Sequence, residues 1–189
     1  MNNMVISDKI TPLQLAHAAR CIFDAQAIAI ITHQNPDGDA MGSSLAMRHL
    51  LLALGKTDVT NIVPTSFPDF LAWLPGADSM IQYEQSPDAA TRALRNADLV
   101  ICTDLGEPTR VAALSPVLTE RFNAYKESEA NSSKLLIIDH HLSSVCAEHP
   151  EQIAYPDSAS ASELVFRLAL QLEKLSRAVS EPFPNRFRE

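Results

Sequence analysis

Ala27-Ile28-Ala29-Ile30-Ile31-Thr32-His33-Gln34-Asn35-Pro36-Asp37-Gly38-Asp39 joins two stretches of opposite character. Its first six residues are almost wholly apolar and rich in isoleucine, the composition of a strand buried on both faces. The seven that follow form a polar turn, and helical spacing then runs over residues 41–54 until Gly55 stops it. A strand that delivers the chain through a polar turn into a helix is the unit of a parallel sheet with right-handed crossovers.

The unit recurs along the chain. Upstream, Thr11-Pro12 supplies an N-cap and a proline at the first helical position, and Leu15, Ala19, Ile22 and Phe23 follow at helical spacing. Downstream, strands are expected at 59–63, 80–82, 99–103 and 135–138, with a further candidate at 152–154. Helices are expected at 69–74, from Ser86-Pro87 to about Asn96 by the same cap chemistry as Thr11-Pro12, at 116–125 and at 160–174. The last of these opens on a capping box, Ser160 with Glu163 three residues on. Residues 126–133 read as a polar loop. The expected fold is α/β, a doubly wound, mostly parallel five-stranded sheet with helices on both faces. Residues 1–174 form one domain, and 175–189, with two prolines, three arginines and no sustained periodicity, read as a tail or linker stub.

Composition narrows the function. The 189 residues make one domain's worth of chain, and 46% hydrophobic with 20% charged residues excludes wholesale disorder. Fifteen Lys and Arg against 23 Asp and Glu give a net charge of -8, which argues against a grip on long duplex nucleic acid, since that draws on basic side chains at phosphates. An anionic partner would need bound metal to neutralise it. Cys21, Cys102 and Cys146 are odd in number and widely spaced, so they read as buried thiols in a reducing compartment. The first residues lack a basic segment followed by an apolar one, and the longest apolar runs are far shorter than the roughly 20 residues of a membrane span. The expectation is a cytoplasmic protein with no membrane association.

The ionisable residues fall where the apolar strands end. The first strand runs into His33, Asp37 and Asp39, the strand 99–103 into Asp104, and the strand 135–138 into Asp139-His140-His141. In a parallel sheet these ends share one edge, the edge at which open α/β sheets bind ligands. Taken singly, Pro-Asp-Gly-Asp is a good turn, Asp104 a helix cap and Asp-His-His a polar loop. Together, carboxylates and imidazoles converging without matching Lys or Arg would repel one another, and a divalent cation relieves that repulsion. Oxygen and imidazole donors suit Mn best, with Mg, Co or Fe as alternatives. The donors outnumber the needs of one ion, and two ions about 3.5–4 Å apart would serve in-line displacement at phosphorus. Gly38 is expected to allow a positive φ between the two carboxylates, and Gly42-Ser43-Ser44 to offer free N–H groups to a phosphate in the first helical turn. His17, His49 and His149 read as packing or surface residues, and Trp73 and the phenylalanines as core or satellite packing.

The run from His33 through Asp37-Gly38-Asp39 to Gly42-Ser43, then Asp104 with Arg110 six residues on, then Asp139-His140-His141, resembles the first three motifs of the DHH phosphoesterases. The Ser-Glu-Leu-Val-Phe-Arg segment at 162–167 is most similar to the oligoribonuclease and pAp phosphatase branch. The resemblance covers residues 10–175. It implies one Mn held by His33, Asp37 and Asp104 and a second held by Asp39, Asp104, His140 and a later Asp, for which Asp157 is the candidate two residues closer to Glu163 than the pattern expects. It implies catalytic roles for Asp104 as the bridge, for Asp139 as a buttress and for His141 against the scissile phosphate, with substrate contacts from His141, Arg110 and Ser43. The implied substrates are short RNA oligomers and 3'-phosphoadenosine 5'-phosphate. Within the same family the alternatives are cyclic-dinucleotide cleavage, pyrophosphate hydrolysis and single-strand DNA exonuclease action; outside it, a metal- and nucleotide-binding module without turnover. The resemblance also implies a C-terminal substrate-binding domain with a glycine-rich motif. No glycine follows Gly106, so that domain is expected to be absent: the sequence is a fragment, or the protein relies on a homodimer partner or a separate C-terminal domain, or its activity is weakened.

Overall fold

The computed structural model describes residues 9–127, 134–142 and 148–178. Its elements are α1 (Pro12–Asp24), β1 (Ala27–Ile31), α2 (Gly38–Ala53), β2 (Asp58–Val63), β3 (Ile81–Gln82), α3 (Pro87–Asn96), β4 (Leu99–Thr103), α4 (Ser115–Glu127), β5 (Lys134–Asp139), β6 (Ile153–Ala154) and α5 (Ala161–Ala178). The sheet has six strands in the order β3-β2-β1-β4-β5-β6, every pair parallel. The sixth strand, beyond the expected five, is the two-residue β6, which pairs with the end of β5.

Alternation along the strands separates two cores. Ile28 and Ile30 of β1, Leu99 and Ile101 of β4, and Leu136 and Ile138 of β5 face α1, α2 and α5. Ala29, Ile31, Val100, Cys102, Leu135 and Ile137 face α3 and α4. A strand buried on both sides has no polar face to display, which is why these segments read as unbroken apolar runs. Cys21 and Cys102 are buried, and burial pushes the Cys21 thiol up to about 11; Cys146 lies outside the described residues.

The caps follow the local sequence unevenly. Thr11 Oγ1 accepts from the Gln14 N–H while the Gln14 side chain accepts from the Thr11 N–H, a complete capping box. At α5 the Ser160 hydroxyl accepts from the Glu163 N–H, but the Glu163 carboxylate reaches the Ala159 N–H, one residue further back. Ser86, expected to cap α3 as Thr11 caps α1, makes no side-chain cap bond, because its ψ of 64° lies outside the extended conformation. The expected loop at 126–133 begins late, since α4 continues to Glu127, and 128–133 lie outside the described residues. The tail also begins late: α5 runs on to Ala178. Among the aromatic residues Phe122 packs in the core, whereas Trp73 is 76% and Phe70 72% exposed, contrary to the packing expected of them. The reason lies in the 3-10 turn at Asp69–Leu71, which turns Leu71 inward and its neighbours out.

Gln152 closes the sheet below β6. Its side-chain Oε1 accepts from the Ile137 N–H at 2.6 Å and its Nε2 donates to the Leu135 carbonyl at 3.1 Å, so the amide does for β5 what a longer β6 would do with backbone. Replacing Gln152 with Leu leaves those two groups buried without partners, and about 2–3 kcal/mol of stability is expected to be lost in urea denaturation. Beside it His17 is buried, donating Nε2–H to the Leu135 carbonyl, and burial holds its pKa below the ordinary value. The unfolded chain therefore takes up the proton first on acidification. The contribution of neutral His17 is complete above pH 6.5 and is lost as pH falls toward the lowered folded value. Denaturation midpoints of the wild type should fall more steeply between about pH 7.5 and 5.5 than those of His17→Gln.

Candidate metal centre

The strand order 3-2-1-4-5-6 reverses direction between β1 and β4, the switch point at which a crevice opens on the carboxyl edge. β1 delivers His33 to that crevice, β4 delivers Asp104, and β5 delivers Asp139, His140 and His141. The Asp104 N–H still donates to the Ile138 carbonyl at 2.9 Å, so sheet pairing persists up to this residue. Its φ of +55° then swings the chain out of the strand direction. The carboxylate is left 1% exposed at the centre of the site.

Three imidazoles surround it. His33 Nε2 is 3.3 Å from Asp104 Oδ2, His140 Nε2 is 3.3 Å from Oδ1, and His141 Nδ1 is 3.4 Å from Oδ1. Backbone carbonyls set the tautomers of the first two: His33 Nδ1 lies 2.7 Å from the Gln34 carbonyl and His140 Nδ1 3.3 Å from that of Ser158. A carbonyl can only accept, so Nδ1 carries a proton, and Nε2 faces the carboxylate as a lone pair when the ring is neutral and as a hydrogen-bond donor when the ring is protonated. Lone pair facing lone pair is repulsive unless a proton or a cation stands between them. Asp104 Oδ1 and Asp139 Oδ2 are buried oxygens with no hydrogen-bond donor among the described residues, and at Asp104 a cation's charge would compensate that burial. Burial pushes the Asp104 pKa up, but the His33 hydrogen bond and the three imidazoles outweigh it and hold the carboxyl below its ordinary value. His33, bonded to Asp104, is held above its own despite burial.

Among the described residues, two groups of donors have ligand atoms within 4.8 Å of one another: His33, Asp37 and Asp104, and Asp104, His140 and His141. Asp104 belongs to both. Asp37 caps α2, its Oδ1 accepting from the Asp39 and Ala40 N–H groups. His141 hydrogen-bonds through Nδ1 to Asp139 Oδ1 at 2.8 Å. Asp139 is fully buried.

Asp39 lies beside the second group, Oδ2 3.5 Å from His140 Nε2, but its oxygens also accept from the start of α5. Asp157 joins neither group; its side chain is 77% exposed and pairs with Lys9 at 3.7 Å. Arg110 is tied to the first loop by its carbonyl, which accepts from the Gln34 N–H at 2.8 Å, and its charge opposes protonation of His33. Ser43 is corrected as a substrate contact: it is fully buried, its hydroxyl donating to the Ala40 carbonyl. The helix begins at Gly38, three residues before the expected start, so Gly42, Ser43 and Ser44 sit in the second turn, where N–H groups bond back into the helix. Gly38 has a negative φ; the left-handed residue of the turn is Asn35, at φ +51°. The Gln34 and Ser158 carbonyls carried no side-chain signal in the sequence, and the role of Ser162 at Asp39 could have been suspected only from its position at a helix start.

The chain that carries this carboxylate–imidazole centre has relatives among known proteins. The chain matches the DHH family, N-terminal domain, over residues 27–185, and it belongs to that family. It is 38% identical over 88 residues to the bifunctional oligoribonuclease and PAP phosphatase NrnA of Thermus thermophilus, across 46% of this chain and 24% of that protein. The structure is similar to that of an exopolyphosphatase-related protein from Bacteroides fragilis, with a TM-score of 0.76 and 33% identity over 90% of this chain and 47% of that one. RecJ from Thermus thermophilus, solved in complex with Mn2+, matches at a TM-score of 0.49 and 20% identity, over 95% of this chain and 23% of that one. The chain spans less than half the length of each of these relatives.

The loop that returns from Asp104 contains a third non-glycine residue at positive φ, Ala112 at +48°. Ala112→Gly removes the Cβ strain at some cost in unfolded-state entropy, and a net gain of about 0.5–1 kcal/mol is expected in thermal unfolding.

Proposed function

We propose that this domain hydrolyses phosphate esters with the help of bound divalent cations, Mn2+ foremost and Mg2+ or Co2+ as substitutes. The substrates proposed are short oligoribonucleotides and 3'-phosphoadenosine 5'-phosphate. The observation that supports this reading best is the sharing of buried Asp104 by two donor groups whose imidazole nitrogens face its two oxygens. His33, Asp37 and Asp104 would hold one cation; Asp104 and His140, with Asp39 alongside, would hold the other. When bound, such cations lower the pKa of water and neutralise charge on phosphate oxygens.

The side chains then divide the work. Asp104, with Oδ2 toward His33 and Oδ1 toward His140 and His141, fixes the spacing of the two halves of the centre. Asp139 accepts from His141 Nδ1–H and so leaves Nε2 of a half-exposed imidazole free; with a second proton there, the imidazolium would donate to a non-bridging phosphate oxygen and stabilise the charge that grows as the ester bond breaks. The net charge of -8 is consistent with a small anionic substrate drawn in by metal rather than by a basic groove. The NrnA relative is named for both activities, which favours this pair of substrates over the family's other reactions. Further parts of the substrate site would come from a second copy or from a C-terminal domain, and the buried thiols suit a reducing cytoplasm. No helix among the described residues is long and apolar enough to cross a membrane.

Incubation with Mn2+ and either pAp or a dinucleotide should release AMP and phosphate, or mononucleotides, detected by chromatography. Chelation should abolish release. Asp104→Asn should lower it by about 100-fold or more, since even outer-shell partners of a metal site are worth about 10–100-fold. Wild-type turnover by Asp104→Asn with its cations retained would overturn the assignment, and nucleotide binding without product would favour a binding module.

A further inference from the structure

The carboxylate of Asp39 is held by α5, through partners 122 and 123 positions later in the chain. Oδ2 accepts from the Ala161 N–H at 2.7 Å; Oδ1 accepts from the Ser162 N–H at 2.9 Å and from the Ser162 hydroxyl at 2.6 Å. Oδ1 is thus saturated by two donors from a single residue. Oδ2, with one donor, keeps lone-pair capacity on the side where His140 Nε2 stands 3.5 Å away.

The two helices come close at Gly42. A Cβ at Gly42 would lie 3.2 Å from Ser162 Oγ, tighter than ordinary packing. Gly42 is one turn beyond Gly38 on α2, on the side that meets α5, and its missing side chain is the room that the Ser162 hydroxyl occupies.

We infer that Ser162, admitted by Gly42, is a positioning residue that turns Asp39 so that a single oxygen, Oδ2, serves a cation bound on the His140 side. The inference rests on the functional reading above and deepens it. It assigns no ligand role to Ser162 itself. The hydroxyl draws electron density from Oδ1 and fixes the carboxylate plane. Its loss should weaken one cation and not the other, because His33 is held by the Gln34 carbonyl and Asp37 by the N–H groups that open α2, not by Ser162.

Mn2+ titration followed by the electron paramagnetic resonance of free Mn2+ tests this on the full chain. Ser162→Ala is expected to weaken the His140-side ion by about 10–100-fold and to leave the His33-side ion unchanged. Ser162→Thr, which retains the hydroxyl, should restore binding; Gly42→Ala, which crowds it, should reproduce part of the loss. Thermal unfolding of the metal-free proteins serves as the structural control. Wild-type binding by Ser162→Ala overturns the inference alone, as does equal weakening of both ions accompanied by a lower melting temperature. A wild-type chain that binds no Mn2+ overturns the functional reading and this inference with it.

Discussion

A carboxylate buried among three imidazole nitrogens is the constraint on which the rest of the site depends. Asp104 cannot reach that position from a regular strand, because continuing β4 would carry its side chain onto one face of the sheet. The left-handed turn at φ +55° carries it between the ends of β1 and β5 instead. The arrangement is fastened from both sides: the Asp104 N–H is bonded to β5, and the loop beyond it returns the Arg110 carbonyl to the Gln34 N–H beside His33. Three non-glycine residues in left-handed conformation, Asn35, Asp104 and Ala112, cluster in these two connections. Strain of this kind persists where surrounding contacts over-determine it, and such places are characteristically functional.

The backbone carbonyls of Gln34 and Ser158 do a second job by deciding which nitrogen of His33 and His140 is bare when the ring is neutral. His141, two residues after Asp139 and bonded to it through Nδ1, is oriented by a carboxylate instead. Adjacent histidines with rings 4.7 Å apart therefore present different chemistry to the crevice, and the difference comes from what each Nδ1 touches.

Much of this was legible in the amino-acid order. Strands buried on both faces announce themselves as apolar runs, and acids or imidazoles directly after such runs have one edge to occupy. That reasoning suffices for His33, Asp37, Asp104, His140 and His141. It does less well where geometry depends on a residue's register within a helix. The start of α2 at Gly38 rather than three residues later follows from Asp37 serving as the cap, and it removes Ser43 from the surface and makes Gly38 an ordinary helical residue. Asp157 and Asp39 illustrate the other limit. Both are acids next to the motifs in sequence, yet one is drawn to Lys9 at the surface and the other to the first N–H groups of α5. Nothing in a run of letters separates those outcomes, because each depends on a partner far away along the chain.

Gln152 has a consequence beyond the stability of β5. A parallel sheet that ends in a long, bare strand offers a template for any passing extended chain, and such templates lead to unwanted association. Here the flank of β5 below β6 is finished with an amide side chain, which satisfies the strand's donor and acceptor yet has no further backbone to extend the ladder. Over that stretch the Ile137 N–H and the Leu135 carbonyl are already taken and offer nothing to an added strand.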